Sequence, residues 1–118
     1  MLSPETIIDR QVDAYIRRDA EGFAALYEAD ACCAYLPSGK VIAQGRGEIE
    51  REWARTFSHG PIELEIRKRM KLGRFIIDHE IVRFGDAPAT SAVAIYLVGA
   101  EGIRQVWFLK DDAELENE

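Results

Sequence analysis

The chain has 118 residues, 47% of them hydrophobic, which suits one domain around one core. A formal charge of -6 argues against nucleic acid or an anionic membrane as partner, because either needs a basic patch to displace counterions. No stretch approaches the roughly 20 apolar residues of a membrane span, and the N-terminus lacks a charged region followed by an apolar run, so a cytoplasmic location is expected.

Ser3-Pro4-Glu5 predicts a helix start, with a capping hydroxyl, proline at the first helical position and a carboxylate in the first turn. Ile8, Val12, Tyr15 and Ile16 then follow helical spacing up to about Arg18. Asp19 caps a second, short helix whose buried side is Phe23, Ala24, Leu26 and Tyr27. Ala31 to Leu36 reads as a strand, Pro37-Ser38-Gly39 as a turn and Lys40 to Ala43 as a second short strand. The only cysteines, Cys32 and Cys33, are adjacent; in a strand they point to opposite faces and cannot bridge each other. Nothing in the sequence supports a metal site or a cofactor. Gly45-Arg46-Gly47 opens a third helix in which Ile49, Trp53 and Phe57 recur every fourth residue.

Ile62 to Phe84 alternates with period two on both sides of Leu72-Gly73, which predicts a β-hairpin. With an even loop, Met70 lies opposite Phe75, Ile66 opposite His79 and Arg67 opposite Asp78. That register sets His79 on an apolar face with Ile66, Ile77 and Ile81, and sends Asp78 and Glu80 to the other face as surface partners of Arg67 and Arg69. Ser91 to Val98 and Ile103 to Lys110 supply two further long strands. Helices interleaved with two short strands and followed by four long ones indicate an α+β fold, with the helices on one face of an antiparallel sheet. Residues 1–110 are expected to form the single domain, and 111–118 an acidic, disordered tail.

This order, together with Tyr15, Leu26-Tyr27, Gly45-Arg46-Gly47-Glu48, Asp78-His79-Glu80, Ile95-Tyr96 and Val106-Trp107-Phe108, resembles the nuclear transport factor 2-like superfamily. Within it the similarity is to SnoaL-like, or ketosteroid isomerase-like, proteins, over about residues 4–110. The resemblance implies a strongly curved antiparallel sheet forming a cone, three N-terminal helices packed on its concave face, a pocket between them and a homodimer through the convex face. It also implies a catalytic tyrosine at Tyr15. The family's base position falls at Tyr35 and its second acid near Ala94, so both catalytic acids are missing and steroid isomerase activity is not expected.

The expected pocket residues are Tyr15, Tyr35, Trp53, His79, Tyr96 and Phe108, an aromatic wall with hydroxyls and one imidazole, suited to a small apolar molecule. His79 stands open between a hydrogen-bonded core residue, a ligand anchor and an acid or base; in the last case it and Tyr15 are the catalytic pair. Two functions follow. One is an isomerase, cyclase or hydrolase acting on a mostly apolar molecule, and the other a non-catalytic ligand-binding or dimerisation module. Val93, Ile95, Leu97, Trp107 and Leu109 should face away from the helices, more apolar surface than a sheet leaves in water.

Overall fold

In the structure, a computed structural model in which residues 2–110 are described, the Ser3 hydroxyl accepts from the Thr6 amide at 3.2 Å and starts helix α1, Pro4–Ile16. The expected tail, 111–118, lies outside the described residues. Arg18, at φ 58, reverses the chain after α1. The Asp19 carboxylate then accepts from the Gly22 amide at 2.9 Å to cap α2, Ala20–Ala24. Strand β1 spans Tyr27–Tyr35, β2 Val41–Gln44, α3 Arg46–Phe57, β3 Ile62–Leu72, β4 Phe75–Phe84, β5 Thr90–Val98 and β6 Ile103–Lys110. Tyr27 thus opens the first strand instead of ending α2. Its ring stays in the core, 5.2 Å from Phe23, which in turn stacks on Trp53 at 5.3 Å. Fully burying an aromatic such as Phe23 contributes about 1.5–3 kcal/mol, so this ring cluster helps hold α2 and α3 against β1.

The six strands form one unclosed, curved sheet in the order β2-β1-β6-β5-β4-β3, with the three helices on its concave face, the α+β cone expected. The expected all-antiparallel pairing needs one correction: β1 and β6 run parallel. After β2 the chain crosses through α3, builds the β3–β4 hairpin at the far edge and returns through β5 and β6, which brings β6 beside β1 in the same direction. Register shifts at Cys33/Ala34, Ile66/Lys68 and Leu97/Val98 interrupt the ladder, the kind of irregularity that bends a strand. No helix among the described residues is long and apolar enough to cross a membrane.

The hairpin has the even loop expected, Gly73-Arg74, with Gly73 at φ 57 taking the left-handed turn position. Its register and facing differ from expectation. Leu72 pairs with Phe75, Met70 with Ile77 and Arg69 with Asp78; beyond the bulge at Arg67, Ile66 pairs with Glu80. Ile76, Asp78, Glu80 and Val82 are the residues buried toward the helices, and His79 lies on the convex side with Ile77 and Ile81. The physical reason is that both parities of β4 carry apolar residues, and neighbouring strands decide between them. Tyr96 of β5 is buried and stands opposite Ile76, so the even-numbered residues of β4 must face inward with it.

Candidate functional site

A cavity of about 460 Å³ lies between the concave face of the sheet and helices α1 and α3, within the range of ligand pockets. Its existence follows from side-chain size. On the inner face of β5 the cavity is lined by Ala92 between Thr90 and Tyr96, and its methyl group leaves floor space that a larger residue would fill. Gln11, Val12 and Tyr15 of α1 and Glu52, Trp53 and Thr56 of α3 form the roof; Tyr35, Glu80, Val82, Phe108 and Lys110 are among the strand residues around it.

Of the six expected pocket residues, Tyr15, Tyr35, Trp53, Tyr96 and Phe108 line this cavity. His79 does not. Its Nε2 lies 2.8 Å from the Ser91 hydroxyl on the other side of the sheet, opposite Lys68 and Val93 in register. The expectation of His79 as pocket anchor, acid or base is corrected on geometry, because a β-strand sends successive side chains to opposite faces and Glu80 takes the inward one.

Glu80 is the residue the sequence reading missed. It is 9% exposed, lines the cavity, and among the described residues no side chain or amide donates a hydrogen bond to its carboxyl. Burial disfavours its charged form, and the Asp78 carboxylate two residues away on the same face adds repulsion; together they push its pKa up from 4.5 to about 7. The signal for it was available in the sequence. Ile76, Val82 and Phe84 are as apolar as Phe75, Ile77 and Ile81, so the even parity of β4 was an equally good inward face with two acids embedded in it.

The two acids are treated differently. Asp78, fully buried, accepts from Arg69 Nε at 2.6 Å and Nη2 at 2.9 Å, while Arg69 Nη1 donates to Asp9 of α1 at 2.7 Å. Asp78 is therefore a paired, structural charge, and Glu80 is left free at the cavity wall. Tyr15 and Tyr96 share that wall. Burial first, and then the charge of Glu80, raise both phenol pKa values, so both hydroxyls hold their protons at neutral pH. Tyr96 donates to Gln11 Oε1 at 3.3 Å, which leaves the Tyr15 hydroxyl as the freer donor. Such a site can give a proton to a ligand oxygen, or take one, at neutral pH in a mostly apolar setting. Among the described residues no group of three or more His, Cys, Asp and Glu side chains could hold a metal ion.

No protein-family model matches the chain, and no curated protein matches it in sequence. Its shape, by contrast, recurs in solved structures. An uncharacterised cystatin-fold protein from Novosphingobium aromaticivorans superposes with a TM-score of 0.85 at 22% identity, over 93% of this chain and 100% of that one. An NTF2-like protein of unknown function from Burkholderia pseudomallei gives 0.80 at 16% identity, over 99% and 97%. A hypothetical protein with a ketosteroid isomerase-like fold from Catenulispora acidiphila, in complex with trimethylamine, gives 0.74 at 19% identity, over 91% and 85%. Identities this low speak for the fold alone, and that fold is the nuclear transport factor 2-like, ketosteroid isomerase-like one.

Proposed function

We propose that the cavity binds a small, mostly apolar molecule and moves a proton on it, with Glu80 as the acid or base and Tyr15 as hydrogen-bond donor to the reacting oxygen. The observation that carries this reading is the Glu80 carboxyl: buried, without a hydrogen-bond donor among the described residues, and poised near neutrality at the wall of a cavity large enough for a ligand. A general acid–base group works best when its pKa lies near the operating pH, and typically contributes ~10² to 10⁴ in rate. The acid comes from β4, the strand beside the one where the family's second acid would fall at Ala94. That a protein of this fold forms a complex with a small molecule, trimethylamine, supports the ligand-binding half of the reading.

The test is hydrogen exchange next to a carbonyl. A bicyclic ketone such as 2-tetralone, incubated with the protein in deuterium oxide and followed by NMR, should exchange its α-hydrogens faster than in buffer. Glu80→Gln should bring the rate down to the buffer level, and Tyr15→Phe should reduce it. Equal rates for the wild type and Glu80→Gln would end the acid–base reading and leave a binding module.

A further inference from the structure

The cavity lining contains one cation among the described residues, Lys110 at the end of β6. Cross-strand register puts it in a definite relation to Glu80: Glu80 pairs with Ala92, and Ala92 with Lys110, all three on the concave face. Two strand spacings separate the outer members, so their Cα atoms are roughly 10 Å apart across the small Ala92 side chain. The Lys110 ammonium lies 5.0 Å from the centroid of the Tyr35 ring, itself a lining residue, which holds the charge at the cavity wall.

Among the described residues, the charges around Lys110 leave its donors available. No carboxylate among the described residues lies within ion-pair distance of it, although Lys71, Arg69, Arg83 and Arg104 each have such a partner. Glu52 also lines the cavity, but its carboxylate accepts from Arg55 Nη1 at 2.9 Å. A ring face attracts the ammonium without satisfying its three N–H groups.

Resting on the reading of the cavity as a small-molecule site, we propose that its ligand is an organic acid with an apolar, ring-sized body, its carboxylate held by Lys110 and its body lying over Ala92 against Tyr35, Trp53 and Phe108. The far end of such a molecule reaches Glu80 and Tyr15, where the chemistry takes place. Below neutrality Glu80 carries its proton and does not repel the anion.

The experiment compares 4-phenylbutyrate with its amide, 4-phenylbutanamide, by calorimetry at pH 6. The two have the same shape and differ in charge. The wild type should bind the carboxylate about tenfold more tightly or better, as expected for one charge-assisted contact. Lys110→Met should erase the preference, because the carboxylate loses more affinity than the amide, and Lys110→Glu should reverse it. Lys110 is exposed, so melting temperatures close to wild type should confirm that these variants fold. Equal affinities in the wild type, or a preference that survives Lys110→Met, would overturn the inference. If the amide binds and only the preference is missing, the cavity reading stands without the acid; if neither compound binds, both fall.

Discussion

At Glu80 the protein keeps a carboxyl where its charged form is disfavoured, and that preference is readable in stability. A carboxyl whose pKa rises from 4.5 unfolded to about 7 folded holds its proton more tightly in the folded state. Folding stability should therefore fall as pH climbs from about 4.5 through 7 and level off above. The shift amounts to about 3 kcal/mol across the full window, of which roughly 2 to 3 kcal/mol lies between pH 5 and pH 8. Urea unfolding of the wild type and Glu80→Gln at those two pH values should show the variant losing that much less; parallel profiles would place the Glu80 pKa in the ordinary range. The same titration governs ligands. Binding of 4-phenylbutyrate should weaken as pH rises through 7 in the wild type, because the newly formed Glu80 anion repels it, and should be flat through that range in Glu80→Gln. His79→Phe should keep the wild-type profile, since His79 bonds Ser91 on the far side of the sheet. A profile altered by His79→Phe alone would return the imidazole to the pocket.

Among the elements, those with strong local signals were legible in the sequence. The capped starts of α1 and α2, the fourfold spacing of Ile49, Trp53 and Phe57 and the last two strands all appear where expected, because caps and periodicity are properties of the segment itself. Tyr15, Trp53, Tyr96 and Phe108, four of the residues around the cavity, sit on those elements. What the segment could not decide was the facing of β4, whose two parities are both apolar, nor the bulge at Arg67 that lets Ile66 and Arg69 both turn toward the helices. These depend on Tyr96 and Asp9, far away in the chain. Arg69 now has a specific job at this level: it joins β3, β4 and α1 by holding Asp78 and Asp9 together. Removing it would strand a fully buried carboxylate. Arg69→Met should cost ~3–5 kcal/mol by urea unfolding, and adding Asp78→Asn should recover a large part of that. A loss below 1 kcal/mol for Arg69→Met would mean that Asp78 is not the isolated charge its burial indicates.

Viewed as a whole molecule, the sheet has a second apolar side that the helices do not cover. Phe75, Ile77 and Ile81 of β4, Val93, Ile95 and Leu97 of β5 and Trp107 of β6 occupy adjoining register positions on the convex face and are half-buried within one chain. The β4 members were expected on the concave side, and their presence here enlarges the apolar surface well beyond β5 and β6. Met70 and Leu72 continue it at the edge, 63% and 72% exposed. An apolar area of this breadth favours association, and a two-fold axis lets the same face cover itself, with the cavities left open on the opposite sides. We therefore expect a homodimer through the convex sheet. Sedimentation at tens of micromolar should give twice the 13.3 kDa chain mass for the wild type, and Trp107→Glu, which places a charge at the β5–β6 centre of the face, should sediment as a monomer. The dimer should survive Glu80→Gln, whose side chain lies within the cavity. A monomeric wild type at that concentration would rule out the convex face as a self-association surface.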